Sequence, residues 1–275
     1  MKKVFSFLIL SLIAIDSMFA QSIFSVIHLN DKEDIQHGLA KSIEWTFTDL
    51  RSGRSVTQGS LRLNHNNQVM YDFENDFYTD DWQNTIITNF NTITGLVESR
   101  MYNIQNSEGF ILETENFNYD KNNFLSEIIH LDKDMKIFQH TLIKNNERGF
   151  PVELATYNEE GKLVGDIERA EYLYEENKYI SKIYSSDGEL LASNKEILNP
   201  SNNYKFKNSD LEYNDSGDLI KCSISEDGYI LYTYKYDRLS NWNEYRVYDV
   251  SMSNEGKERK NLITIYKRNI KYWEK

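Results

Sequence analysis

The sequence contains few of the residues that constrain or interrupt a backbone: one cysteine, two prolines and 12 glycines among 275 residues. A single cysteine excludes an internal disulfide framework, so packing must hold the fold together. Cys222 alternates with Ile220 and Ile224. That spacing favours a small buried side chain over a catalytic nucleophile, which would need a histidine partner. No proline-rich or glycine-rich linker is present.

Basic residues are also in the minority, with 31 Lys and Arg against 43 Asp and Glu and a net charge of −12. Binding to phosphate backbones and anionic lipids depends on clustered Lys and Arg. The acidic balance of this chain therefore argues against nucleic acids and anionic membranes as partners. The five histidines show neither His-x-His nor His-x-x-x-His spacing, and the acidic clusters lack the alternating calcium loop. We therefore predict no metal site.

Catalytic signatures are absent as well. The chain has no nucleophile elbow, no phosphate loop and no dinucleotide-binding glycine motif. These absences lead us to predict a protein that is not an enzyme, with no catalytic residue and no cofactor.

Long apolar runs are missing except at the N-terminus. Lys2 and Lys3 precede an apolar stretch over residues 4–15, and Ala20 places a small residue before Gln21. This pattern predicts a signal peptide over residues 1–20, cleaved near Ala20-Gln21, and hence a secreted or periplasmic protein. The alternative is a permanent N-terminal anchor; no later segment is long enough to span a bilayer.

Aromatic residues, in contrast, are plentiful: 19 Tyr, 14 Phe and 4 Trp. A cadence of tyrosine, polar residues and glycine recurs at residues 157–161, 184–188 and 213–217, with serine replacing glycine at residues 236–240. Each unit predicts a strand, a polar turn and a returning strand. The fold predicted is all-β, with consecutive antiparallel hairpins forming an extended, twisted repeat sheet.

The first third of the chain lacks this cadence. We predict a signal peptide over residues 1–20, a β-rich region over residues 21–105 and a hairpin-repeat region over residues 106–275. Alternatively, residues 21–105 and 106–275 form one continuous body. Residues 31–41 also suggest a short helix, since Asp31 can cap it and Ile35 and Leu39 have helical spacing.

The cadence resembles that of YD-repeat proteins, also called rearrangement-hotspot repeats. Residues 234–242 (Tyr-Lys-Tyr-Asp-Arg-Leu-Ser-Asn-Trp) are similar to the Tyr-x-Tyr-Asp-x-x-Gly-Asn-Trp phrase of that family, with Ser240 in place of glycine. The resemblance covers roughly residues 109–250 by turn spacing. It implies an exported protein built from a long, curling antiparallel sheet, and it carries over no catalytic residue.

The function predicted is a non-enzymatic binding or scaffolding module at a bacterial-type cell envelope or outside the cell. Candidate binding residues are Tyr232, Tyr234, Tyr236 and Trp242, which could stack on a glycan or an envelope protein. The alternative for these rings is that they only pack the sheet. A secreted hydrolase acting on envelope polysaccharide is the competing hypothesis, and sheet edges offer a route to self-association.

Overall fold

A computed structural model describes residues 22–33, 35–51, 55–76, 82–106, 109–198, 211–225, 228–252 and 257–274. The predicted signal peptide at residues 1–20 lies outside these ranges. Within them, none of the helical segments has the length and apolar character that crossing a bilayer requires.

The described chain forms one open antiparallel sheet of 17 strands, which confirms the predicted all-β hairpin fold. A short helix, α1 (Ile23–Ile27), precedes the sheet, and a 3-10 turn (Tyr174–Glu176) joins two of its strands. The strands are β1 (Ala40–Asp49), β2 (Ser55–Leu63), β3 (Val69–Asp76), β4 (Trp82–Phe90), β5 (Val97–Asn106), β6 (Gly109–Tyr119), β7 (Leu125–Leu131), β8 (Ile137–Asn145), β9 (Pro151–Asn158), β10 (Ile167–Leu173), β11 (Lys178–Tyr184), β12 (Leu190–Ile197), β13 (Leu211–Tyr213), β14 (Leu219–Ser225), β15 (Gly228–Tyr236), β16 (Trp242–Met252) and β17 (Glu258–Tyr272).

Pairing mostly follows chain order. Each strand from β1 to β11 pairs with the next, and so does each strand from β13 to β16. Among the described strands, the one pairing that departs from chain order joins β17 to β1, with Trp45 opposite Arg268 and Phe47 opposite Tyr266. β5 and β6 pair from Ser99 opposite Asn116 to Asn106 opposite Gly109, so the sheet continues past residue 105.

Eight turns among the described residues share a five-residue hydrogen-bond pattern. At residues 158–162 the Asn158 N–H donates to the Lys162 carbonyl, and the Gly161 N–H donates back to the Asn158 carbonyl, both at 2.9 Å. The Asn158 side chain accepts from the N–H groups of Glu160 and Lys162. A polar first residue is needed because its side chain holds two turn amides that the ladder leaves unpaired.

The fourth residue of this turn has positive φ. Gly161, Gly188 and Gly217 lie at +75°, +85° and +92°, and Ser240 takes the same position at +63°. Glycine adopts this region without a steric penalty, which explains the predicted cadence and makes Ser240 its strained variant. Beside the turn at residues 237–241, one strand has a residue more than its partner. This β-bulge is visible as a register shift between Lys235 and Tyr236.

The helix predicted over residues 31–41 is wrong. The helix α1 ends at Ile27 and β1 begins at Ala40, and the described residues between them are not helical. Gly38 has a φ of +86°, outside the helical region, and the His37 N–H bonds to the Asn241 side chain instead of to its own helix. Tertiary contacts therefore override the local helical spacing.

Residues 28–33 and 35–39, called the strap, connect α1 to β1 and lie across the ends of several hairpins. Asn30 accepts from the Val97 N–H at 3.1 Å, and Asn67 accepts from the Ala40 N–H at 2.8 Å where the strap enters β1. Asn241 both accepts from the His37 N–H and donates to the His37 carbonyl. These bonds hold the strap to the sheet at three separate turns.

The main core lies where α1 packs on the sheet, and we call this side of the sheet its inner face. Ile23 is fully buried there, and its N–H donates to Glu168 at 2.7 Å. The cluster around Ile23 draws on strands β5 to β11, and a smaller cluster forms around Ala40, Ile43 and Leu63 beneath the strap. The strap and α1 therefore cover the inner face with apolar side chains at both places.

Candidate functional site

A line of aromatic rings crosses four neighbouring strands on the inner face. Tyr234 of β15 lies 5.8 Å from Tyr245 of β16, which stacks at 5.3 Å on Tyr266 of β17, which in turn stacks at 5.8 Å on Trp45 of β1. We call these four residues the aromatic row. Cross-strand aromatic pairs at these separations stabilise a sheet beyond simple burial. Burial raises the pKa of Tyr245 to about 12, so its hydroxyl stays neutral.

Trp45 lies flat on the sheet because the residue opposite it on β2 is Gly59. A Cβ at Gly59 would come within 2.5 Å of the Trp45 indole and 2.3 Å of the Phe73 carbonyl oxygen. A glycine inside a strand weakens it, and it is often found where another group approaches the backbone closely. Here that group is the Trp45 ring, which the missing side chain admits.

Trp242 packs against one side of the aromatic row. Its ring meets those of Tyr245 and Tyr266 edge-on at 5.2 and 5.4 Å. The Arg268 guanidinium lies over the Trp242 ring at 3.4 Å, and Arg268 also donates to the Trp242 carbonyl. Arg268 Nη1 reaches Glu33 of the strap at 3.7 Å, so one almost fully buried cation links the row to the strap.

The structure places the four predicted binding residues on neighbouring strands but in different settings. Tyr234 belongs to the aromatic row and donates to the Leu219 carbonyl, and Trp242 braces that row. Tyr236 stacks on Tyr234 at 6.2 Å and is 37% exposed near the hairpin end. Tyr232 is half-buried, and its burial raises the pKa of its hydroxyl.

A cavity of about 420 Å³ opens where the aromatic row meets the strap. Trp45 and Tyr266 form its aromatic wall, and Asp72 and Arg100 contribute polar groups from β3 and β5. The strap contributes His28, Leu29, Asp31 and Glu33 to the lining. A pocket of this size, with apolar walls and a few polar groups, has the dimensions of a small-molecule site. We call it the strap cavity.

The charges in the strap cavity are perturbed by burial. Burial raises the pKa of Asp72 to about 6, and the nearby Arg100 guanidinium only partly opposes this. On the strap side, His28 Nδ1 lies 2.6 Å from Asp31 Oδ2. A carboxyl with a raised pKa beside an arginine, in a concave site, is typical of functional pockets, although structural networks also produce such shifts.

A second group of buried polar residues lies further along the inner face. His130 Nε2 is 2.8 Å from Thr141 Oγ1, which is 2.9 Å from Thr156 Oγ1. Tyr102 donates to Glu115 at 2.8 Å, and Glu115 lies 3.6 Å from His130 Nδ1. Burial lowers the pKa of His130 to about 4. These groups satisfy one another, as buried polar side chains in a sheet core usually do.

A larger but shallower groove of about 530 Å³ crosses β17, β1 and β2. Its polar side chains include Glu44, which pairs with Lys271 at 3.1 Å, and both of these side chains are more than half exposed. An exposed ion pair in water contributes little binding energy. The strap cavity is therefore the better candidate despite its smaller volume.

No group of three or more His, Cys, Asp or Glu side chains among the described residues has an arrangement that could hold a metal ion. No family model matches the chain, and no curated protein matches it. Among solved structures, a porin-like protein from Bacteroides uniformis ATCC 8492 is similar with a TM-score of 0.41 and 11% identity. That match covers 84% of this chain and 96% of the other.

Sequence reasoning overlooked most of the strap cavity. Asp72, Arg100 and His28 carry no local motif, and they meet only because β3, β5 and the strap converge. One signal was available: Gly59 stands inside β2, and a glycine within a strand indicates a close approach by another group.

Proposed function

We propose that this protein is an exported, non-enzymatic binding module that acts at the cell envelope or outside the cell. The charged and apolar N-terminal pattern supports export. The resemblance of the turn cadence to YD-repeat proteins supports a surface or extracellular setting. Binding is supported by the inner face, where aromatic side chains gather on a rigid sheet.

The observation that carries this proposal is that the aromatic row ends inside the strap cavity. Tyr234 and Tyr245 at one end are enclosed by neighbouring rings, whereas Trp45 and Tyr266 line open volume. Stacking across strands holds Trp45 and Tyr266 in place before a ligand arrives. A preorganised aromatic surface loses little conformational entropy on binding, which favours affinity.

The test is an affinity capture with tagged residues 21–275 and detergent extract plus polysaccharide from the native envelope. We expect the folded protein to retain a specific envelope component. Trp45→Leu should lose that component because it removes an aromatic wall of the strap cavity. Trp273→Leu is the matched control, since Trp273 packs on His65 at 4.1 Å outside the cavity and should retain it. A folded protein that retains nothing would contradict the proposal.

A hydrolase acting on envelope polysaccharide is the second candidate. It is favoured by one observation, the raised pKa of Asp72 in a cavity that also contains the Asp31 and Glu33 carboxyl groups. A protonated carboxyl beside an ionised one is the pair that glycoside hydrolysis uses. Incubation with envelope polysaccharide separates the candidates: release of reducing ends that Asp72→Asn abolishes would establish hydrolysis. Binding without release supports the module.

A further inference from the structure

Two nitrogen atoms in residues that line the strap cavity have no hydrogen-bond partner among the described residues. They are Nε2 of His28, on the strap, and Nε of Arg100, on β5, and both atoms are buried. A buried polar atom without a partner costs about 1–3 kcal/mol, so folded proteins seldom leave one unpaired. Two such atoms around one cavity indicate that something else completes their hydrogen bonding.

The two atoms have opposite hydrogen-bonding roles. His28 Nδ1 lies 2.6 Å from Asp31 Oδ2, and a carboxylate can only accept, so Nδ1 carries the ring proton. In the neutral ring, Nε2 is then an acceptor. Arg100 Nε carries a hydrogen and can only donate. With the His28 ring neutral, the groups that complete this hydrogen bonding must donate to His28 Nε2 and accept from Arg100 Nε.

A hydroxyl group has both capacities, because it offers one hydrogen and two lone pairs. The strap cavity also presents the faces of Trp45 and Tyr266, which stack on each other at 5.8 Å. Its volume of about 420 Å³ is far larger than the roughly 30 Å³ that one water molecule occupies in the liquid. The strap cavity therefore has room for a ligand that combines several hydroxyl groups with an apolar face.

Charge narrows the choice further. Three carboxyl groups line the strap cavity, those of Asp31, Glu33 and Asp72, together with the guanidinium of Arg100, and Arg268 approaches Glu33 from outside the lining. An anionic ligand would face like charges in a partly desolvated site, which is unfavourable. A neutral ligand avoids that repulsion and still offers hydroxyl hydrogens to the carboxyl oxygens.

We propose that the strap cavity binds a neutral saccharide unit. One sugar hydroxyl donates to His28 Nε2 and another accepts from Arg100 Nε, while the sugar ring packs on Trp45 and Tyr266. This assignment rests on the proposed binding function and names the ligand class for it.

The first experiment screens tagged residues 21–275 against an array of neutral and acidic oligosaccharides. The dissociation constant of the best neutral oligosaccharide is then measured by isothermal titration calorimetry. We expect His28→Phe and Arg100→Gln each to weaken binding about tenfold, the scale of one hydrogen bond in a buried site. The matched controls are His65→Phe and Arg62→Gln, which lie on Trp273 and Tyr71 outside the cavity and should bind as the wild type does.

A deoxy analogue separates a direct contact from a structural effect. The monodeoxy sugar that lacks the hydroxyl facing His28 should bind the wild type about tenfold more weakly. It should show no further loss in His28→Phe, because the same hydrogen bond is already absent. Circular dichroism and thermal unfolding check that each variant is folded.

The outcomes are distinct. A neutral saccharide whose affinity falls in both cavity variants supports the proposal, whereas preference for acidic sugars or unchanged affinity in folded variants overturns it. If the array yields no ligand while envelope capture retains a protein through Trp45, the saccharide assignment fails and the binding function stands. If neither experiment retains anything, both fail.

Discussion

The strap is held to the sheet by Asn241, and replacing this residue tests whether the strap cavity has a fixed wall. Asn241 is 1% exposed. Its side chain accepts from the His37 N–H at 3.0 Å, donates to the His37 carbonyl at 2.7 Å and donates to the Tyr272 hydroxyl at 2.7 Å. Asn241→Ala removes all three hydrogen bonds and leaves two backbone groups of the strap without these partners.

The expected loss follows from those contacts. Each buried group left unpaired costs about 1–3 kcal/mol, and the Tyr272 hydroxyl keeps a second partner in Asp237. Because His37 is an exposed residue, water can reach its backbone N–H and carbonyl once the amide is removed, which lowers the total. We therefore expect Asn241→Ala to reduce the free energy of unfolding by about 3 kcal/mol, a large effect for a single substitution.

Urea unfolding followed by tryptophan fluorescence measures this loss, and hydrogen exchange at the His37 amide locates it. We expect faster exchange at His37, because the strap opens locally before the sheet unfolds. Asn66→Ala, at an exposed turn position, is the control and should change stability by no more than about 0.5 kcal/mol. A loss below about 1 kcal/mol with unchanged His37 exchange would refute the reasoning.

Two further predictions concern pH and turn geometry. Because burial raises the pKa of Asp72 to about 6, the folded state binds more protons than the unfolded chain above about pH 4, so this carboxyl destabilises the fold increasingly as pH rises. The stability of Asp72→Asn relative to wild type should therefore grow between about pH 4 and pH 7 in urea titrations, and a constant difference would contradict this. Gly149→Ala should destabilise more than Gly161→Ala in thermal unfolding: both have positive φ, but only at Gly149 would a Cβ approach another side chain, the Phe124 ring at 2.4 Å. Equal losses would show that φ alone decides, at about 1–2 kcal/mol each.

The hairpins could be predicted from sequence because each one depends on residues that are close together in the chain. The polar first residue and the glycine of the turn at residues 158–162 lie three positions apart, and alternation on either side is visible in a short window. The helix error has the opposite origin, since Asn241, about 200 residues away, determines the strap conformation.

The strap cavity could not be predicted for the same reason. Alternation shows that Trp45 and Phe47 share a face, but not that β17 returns to pair with β1. Only that pairing brings Tyr266 onto Trp45 and Arg268 towards Glu33. Two of the predicted candidates do belong to this region: Tyr234 is part of the aromatic row, and Trp242 packs against it. They could be predicted because a high local content of aromatic residues is visible in the sequence.

The inner face carries two kinds of buried polar group, and their difference argues for where binding occurs. His130 Nε2 lies 2.8 Å from Thr141 Oγ1 and Nδ1 lies 3.6 Å from Glu115, and neither nitrogen is among the buried atoms without a partner. His28 has Asp31 on one nitrogen only, and its other nitrogen is a buried atom without a partner in a residue that lines the strap cavity. Each histidine has one short contact to a polar partner, but of the two only His28 has a buried nitrogen left to pair with a ligand. Substituting His130 should therefore lower stability, whereas substituting His28 should lower affinity.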